Sequence, residues 1–455
     1  MAFISRRYKL GLKRWEATDT TSPGGNLYQA MMYSFPNSAT RTPPATEPAL
    51  AIGARSWFAK AGILICRPTD PKACRLAVAL KGGHNAEHHN HNDVGSYVAV
   101  VGDSAVLVDP GGEVYTRRTF SRQRYVSTVL NSFGHPVPRV AGQLQRKGRK
   151  AQARVLRTEF TPAADTLALD IASAYAVREL KTLERTFVYT RAGAGSLKVT
   201  DRVAFSSPKA FGTALVTFGQ WKRLGPRALL IYAGGEAVRV DIEATADIAI
   251  QSEELKDDVH APSQPTRIGI DLAQPAAQAT ITLTIAPATL PGEQGKLLRN
   301  GGFEYAAWGW SIPKGGMGSI STEQAASGSH SLKIVDTNRT VGSNISSGRI
   351  AIASRDFELR GKVFLVSGDG VGMYVRYLDS ERRMLNKQDV RGYIRALDTV
   401  GKTPGAWEPF ALRFTAPEGT VYLQAWIHSV TSAVTTAYLD DLAIVPVAPA
   451  RSATP

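Results

Sequence analysis

LKTLERTFVYT (180–190) and SLKVTDRVAF (196–205) decide the fold. Each is a run of Val, Leu, Thr, Tyr and Phe, and the glycine-punctuated RAGAG separates them, which is how successive strands are spaced. The same texture extends in both directions. AGILIC (61–66), RLAVAL (75–80), GSYVAVV (95–101) and SAVLVD (104–109) precede the pair, and TALVTF (213–218) and ATITLTIA (279–286) follow it. Gly, Asp, Asn or Pro stands between the runs. The fold class is therefore all-β, with a large antiparallel β-sandwich over residues 55–291. Residues 292–296 read as a linker, after which the pattern restarts. LLRNGGFEYAAWGW (297–310), SGSHSLKIVD (327–336), GMYVRYLD (372–379), WEPFALRFTAP (407–417), VYLQAWIHS (421–429) and AYLDDLAIV (437–445) have the size and spacing of a β jelly-roll domain over 297–447. Residues 448–455 read as a disordered tail and 1–54 as a loose lead-in carrying Trp15, Tyr28, Tyr33 and Phe35. No internal repeat is visible.

The chain has 455 residues with 41 Gly and 25 Pro, enough for two or three β-rich domains with ordinary cores. No window reaches the roughly 18 consecutive apolar residues of a membrane span, and the first residues, MAFISRRYKLGLKRWEATDT, show no apolar signal-peptide core. The two cysteines, Cys66 and Cys74, flank a turn, and either a hairpin disulfide or two buried thiols fits that spacing. The net charge of +15 is uneven. Residues 1–292 hold 36 Lys and Arg against 24 Asp and Glu, whereas 293–455 hold 18 against 15. Between Val114 and Thr158 there are eleven basic residues and no acidic one, interleaved with Tyr115, Phe120, Tyr125 and Phe133. Such a stretch draws an anionic polymer, and its aromatic residues suit a groove better than a tail.

KGGHNAEHHNHNDVGSY (81–97) is the densest chemical signal, with His84, Glu87, His88, His89, His91 and Asp93 inside ten residues. If residues 89–93 are extended, His89, His91 and Asp93 share one face and can hold a divalent cation or arrange a proton transfer. Asp109 and His135 are further candidate ligands, since a His, Asp, His set satisfies zinc with one position left open. A hairpin turning at 102–104 places Asp109 opposite about Tyr97, so joining it to His91 requires a bend.

The run GGHNAEHHNHNDVGSYVAVVGDSAVLVDPGGEVYTRRTFSRQRYVSTVLNSFGHP (82–136) resembles the metal- and substrate-binding stretch of the heparinase II/III-like family, and looser similarity covers about residues 1–290. The resemblance implies His91, Asp109 and His135 as zinc ligands, His89 as a catalytic histidine and Tyr125 as an active-site tyrosine. It also implies β-elimination on a uronate-containing acidic polysaccharide such as heparin, heparan sulfate or alginate. In that reaction the C5 proton leaves, the O4 bond breaks, and the negative charge on the uronate carboxylate must be neutralised. His89 and the arginine-rich segment, Arg122 and Arg124 in particular, suit that neutralisation and the binding of substrate. Zinc is expected to fix the loop that carries His89. Family members carry an N-terminal helical toroid that supplies further catalytic groups. Residues 1–54 then read as a remnant of it, the remainder being expected on a separate chain or in a longer reading frame, and a periplasmic or secreted location follows.

The motifs LLRNGGFE, AASGSHSLKI and AYLDDLAIV resemble carbohydrate-binding jelly rolls. Glu304 and Asp441 meet if the first and last strands pair, and their oxygens suit calcium. Trp308 and Trp407 offer flat faces for sugar rings, as do Trp310, Tyr374, Tyr377 and Trp426. A non-catalytic glycan-binding β-protein is the second reading. A nucleic-acid binder is disfavoured because the arginines share a domain with the His/Asp set, and a hydrolase because only Glu87 offers a general-base glutamate.

Overall fold

The computed structural model describes residues 53–448 except 72, 258, 260, 262, 291, 386–393 and 430–433. The lead-in, with Trp15, Tyr28, Tyr33 and Phe35, and the tail thus lie almost wholly outside the described residues. Among the described residues the regular structure is β-strand with three short 3-10 turns, so the all-β fold expected from the sequence is the fold observed.

The runs that decide the fold pair with each other. Leu180–Thr190 lies antiparallel to Ser196–Lys209, with Phe187 opposite Val199 and Arg185 opposite Asp201. They sit in an eight-stranded sheet ordered 220–225, 228–233, 236–244, 276–287, 196–209, 180–190, 164–170 and 154–160. Alternation sends Leu183, Phe187, Tyr189, Leu197, Val199 and Val203 into the core, all at most 3% exposed. Ile63–Cys66, Leu76–Lys81, Tyr97–Val101 and Ser104–Leu107 pair antiparallel in that order, and their Leu64, Leu76, Leu80 and Tyr97 join the same core. A four-stranded sheet, 248–254, 266–272, 211–217 and 139–140, completes this half. Cys66 and Cys74 are buried and not joined in a disulfide, and Cys74 Sγ lies 3.5 Å from the Tyr189 hydroxyl.

The later strands form two more sheets. One runs 310–311, 345–347, 422–428, 371–378 and 394–400, with 350–351 also on 422–428; the other runs 318–321, 331–336, 435–446, 356–368 and 407–415. Their facing sides enclose a second core that includes Leu332, Phe357, Val375, Leu423 and Leu439. Within segment 292–296, Glu293 is 5% exposed and accepts a hydrogen bond from Asn300 N.

A third, small core joins the two strand sets through Leu230, Tyr232, Leu290, Tyr305 and Trp308. Trp308 is 7% exposed, and its indole N–H donates to Glu236 O at 3.1 Å. This corrects the expectation that Trp308 offers a face to sugar: the ring is covered by Tyr232 and Tyr305, with centroids at 6.4 and 6.2 Å. Truncating a large buried aromatic removes its burial energy and leaves a cavity. Trp308→Ala is therefore expected to lower the unfolding free energy in denaturant by about 3 to 5 kcal/mol. A loss within about 0.5 kcal/mol, the range of surface substitutions, would contradict the role of this ring in joining the halves.

Candidate metal centre and adjoining cleft

Residues 86–95 form a folded loop, so the extended reading of 89–93 is corrected. His89 has φ of +56°, a left-handed conformation that breaks strand alternation. Side chains from elsewhere impose this path. Gln145 accepts from Val94 N at 3.0 Å and donates to Val94 O at 2.7 Å, and Asn85 accepts from Asp93 N at 3.2 Å. Arg124 donates from Nε and Nη2 to Asn90 O at 3.1 and 2.9 Å, and from Nη2 to His89 O at 3.0 Å. The three side chains expected on one face therefore separate. Asp93 pairs with Lys81, His89 turns to an open cleft, and His91 turns inward.

His91 meets Asp109 and His135 there, with one ligand atom from each lying within 4.8 Å of the others. The bend required by the sequence is a turn at Gly95, which has φ of +89° and donates its N–H to Lys81 O at 3.0 Å. Pairing of Ala99 with Leu107, extended past the end of the strand, brings Asp109 level with Tyr97, and Asp109 Oδ2 accepts from Ser96 Oγ at 2.6 Å. His135 follows a 3-10 turn, Ser132–Gly134, capped by Asn131, whose side chain accepts from Phe133 N at 2.8 Å. A Cβ on Gly134 would lie 2.4 Å from Thr128 O, so this turn requires glycine.

His135 is fully buried, with Nδ1 2.9 Å from Asp109 Oδ2 and Nε2 without a hydrogen-bond partner. An orphaned imidazole nitrogen beside a second imidazole and a carboxylate fits a divalent cation. Burial, aided by the nearby His135, lowers the pKa of His91 to about 4, which leaves its lone pair free at neutral pH. Burial opposes the charges on Asp109 and His135, but their mutual attraction and hydrogen bond prevail, holding Asp109 well below the usual carboxylate range and raising His135.

The depressed His91 pKa has a definite sign. Folded His91 resists protonation that the unfolded chain accepts near 6.5, so it should destabilise the metal-free fold as pH falls from 6.5 to about 4. His135 has the opposite dependence, its contribution being lost as pH rises through its raised pKa. The difference in unfolding free energy between the metal-free chain and His91→Asn isolates the first term. It should change in the variant's favour on acidification across that window, and a flat difference would rule out a buried neutral His91.

The cleft beside this centre holds about 310 Å³ and is lined by Glu87, His88, His89, Asn90, Thr119, Phe120, Ser121, Arg124 and Tyr125. His89 is exposed; its ring stacks on Tyr115 with centroids 6.1 Å apart and meets the edge of Phe120 at 6.0 Å. Tyr125 OH accepts from Asn90 Nδ2 at 3.4 Å. The sequence expectation thus brings His89, Tyr125 and Arg124 to one place. Arg124, however, spends its guanidinium on loop carbonyls, including Thr119 O at 2.9 Å. Arg122 is exposed nearby, with no hydrogen bond or ion pair among the described residues.

Trp407 is half-buried, with its ring 5.7 Å from Phe364. Glu304 and Asp441 line one cavity of about 780 Å³, yet each is engaged separately. Glu304 accepts from Ser329 N at 2.7 Å and His330 N at 2.9 Å, while Asp441 pairs with Lys362 at 3.0 Å.

The family model described as Heparinase II/III-like, C-terminal, matches residues 53–281. The chain belongs to the heparinase II/III-like family. Solved structures of family enzymes are similar to it at low identity. The heparan sulfate lyase HepC from Pedobacter heparinus is 13% identical, with 73% of this chain and 45% of that chain covered and a TM-score of 0.47. Heparinase III is 12% identical, with 64% and 40% covered and a TM-score of 0.43. The chain therefore spans less than half the length of these heparinases. The CBM22-1 xylan-binding domain from Paenibacillus barcinonensis Xyn10C is 19% identical over 31% of this chain and 88% of that chain, with a TM-score of 0.25. A sequence search of curated proteins finds no match. Among the described residues no helix is long and apolar enough to cross a membrane.

Proposed function

We propose that this chain is the β-sandwich part of a lyase that cleaves a uronate-containing acidic polysaccharide by β-elimination. The observation that carries this reading is that His89 and Tyr125 line one open cleft beside the His91, Asp109 and His135 set. In the reaction a base removes the proton at C5 of the uronate, the electrons form the C4=C5 double bond, and the bond from C4 to O4 breaks as O4 takes a proton. His89 donates to the uronate carboxylate and offsets the charge that builds up as C5 loses its proton. Tyr125 is placed for proton transfer, and Asn90, its hydrogen-bond partner, sets the direction of the phenol. Arg122 is free to meet the polymer's anionic groups, whereas Arg124 contributes by holding the backbone of His89 and Asn90.

His91, Asp109 and His135 would hold a zinc ion, and Ser96 would orient the carboxylate from outside the ligand set. When bound, zinc supplies a fixed charge and a rigid joint beneath the His89 loop. The remaining catalytic groups are assigned to a helical toroid, either in a longer form of the chain or on a partner, and the setting is periplasmic or extracellular. Residues 297–447 are assigned to glycan binding, with calcium at Glu304 and Asp441.

A second reading, glycan binding without catalysis, draws on the six-stranded sheet. There Trp426 stacks on His428 at 4.6 Å, Tyr374 lies 4.9 Å from Trp426, and Arg376 sits over the Trp426 ring at 4.6 Å. This row offers flat rings beside a cation, which suits an acidic sugar. The test is ultraviolet absorbance of the unsaturated uronate product, with heparan sulfate, alginate and neutral xylan offered separately. A rise with a uronate polymer alone supports the lyase. Retained binding without any rise would leave the glycan-binding reading in its place.

A further inference from the structure

We propose that Arg185 is the positioning residue of the metal centre, tying together the two loops that carry His91 and His135; this rests on the metal reading above. Arg185 is fully buried on the core face of its strand, where its neighbours on that face are Leu183, Phe187 and Tyr189. Asp201, opposite it on the next strand, grips the guanidinium through two hydrogen bonds, Nε to Oδ1 at 2.6 Å and Nη2 to Oδ2 at 2.7 Å. Nη2 also donates to Thr213 Oγ1 at 2.8 Å. These contacts orient the charge, and Nη1 is left to point away from the strand pair.

Nη1 donates to Gly95 O and to Pro136 O, each at 2.7 Å. Gly95 is the turn that follows His91 and precedes Ser96, the hydrogen-bond donor to Asp109. Pro136 directly follows His135. One nitrogen thus joins the ends of both ligand loops and reaches the Asp109 donor through a single residue. Gly95 suits this turn because its φ is +89°, a conformation that residues other than glycine rarely adopt. A burial-driven core would place an apolar side chain at this position, and a lysine could not span acceptors on four residues with one ammonium group. Loss of partners outside the ligand set commonly weakens metal binding about 10- to 100-fold.

The experiment measures zinc dissociation constants by competition with a chromophoric chelator, alongside unfolding of the metal-free chain, for the full protein and for Arg185→Lys and Thr213→Val. Thr213→Val removes one bond to the same guanidinium and leaves both loop carbonyls bonded. Arg185→Lys is expected to weaken zinc binding about 10- to 100-fold, and Thr213→Val to change it less than about threefold while still lowering the unfolding midpoint. If Arg185→Lys does not fold, Asp201→Asn replaces it. Asp201 touches neither loop, and its loss should still weaken zinc binding by releasing the guanidinium. Zinc affinity unchanged in the folded Arg185→Lys protein, or failing that in Asp201→Asn, overturns the assignment, as does an equal loss in Thr213→Val. Wild-type protein that binds no zinc overturns the metal reading together with it, which separates the two failures.

Discussion

On the lyase reading proposed above, replacing His89 by alanine is expected to cut the rate of uronate elimination by about 10²- to 10³-fold, the span usual for losing one positioned donor to developing charge. His89 is exposed in the cleft with Tyr125, and the described partners of its ring are the stacked Tyr115, whose hydroxyl lies 3.5 Å from Nδ1, and Phe120. The imidazole is thus available to substrate and is not used to hold the fold. Its backbone is different, since φ of +56° costs alanine more than asparagine. His89→Asn therefore accompanies His89→Ala: it keeps the loop conformation and removes the imidazole ring. Initial rates from product absorbance should fall by a similar factor in both variants. Full activity in His89→Asn would remove His89 from the chemistry, and a loss confined to the alanine variant would assign the effect to backbone strain.

The strands were legible because their signal is local. Runs such as LERTFVYT and LKVTDRVAF show their period within a few residues, and two sets of strands separated near residue 292 followed from the same pattern. The His89 loop was not legible, because its path depends on Gln145 and Arg124, which lie 30 or more residues away in sequence. Trp308 and Trp426 are the same residue type, and only the packing of distant strands makes one a joint and leaves the other beside His428. Arg185 did leave a trace. Leu183, Phe187 and Tyr189 alternate around it, and Asp201 interrupts the facing series of Leu197, Val199 and Val203. A charge at matched core positions on neighbouring strands is a readable sign of a buried pair.

The second large effect concerns the metal. Zinc that binds only the folded chain should stabilise it by about 4 kcal/mol when present at a thousand times its dissociation constant. For a sandwich of this size that corresponds to a rise of roughly 8 to 16 °C in the unfolding midpoint. His135→Ala removes the fully buried member of the proposed metal set together with its Asp109 partner bond, and is expected to abolish the zinc-dependent rise. It should also lower the metal-free midpoint, since a side chain is lost from a packed site. Differential scanning calorimetry with and without zinc, after chelation, measures both terms. A zinc-dependent rise in His135→Ala equal to that of the wild type would show that the ion binds elsewhere.

If the cleft and the Trp426 face engage one polymer, as proposed, the aromatic joint formed by Tyr232, Tyr305 and Trp308 sets the terms on which the two halves share it. With the pair between Arg382 and Asp103, the second strand set is packed on the first rather than joined to it by chain alone. For a polymer held on the Trp426 face, the chance of also reaching the cleft would be governed by fixed spacing rather than by linker length, which makes avidity all-or-none in chain length. Oligosaccharides too short to bridge that spacing would gain nothing from the second contact, and those just long enough would gain nearly all of it.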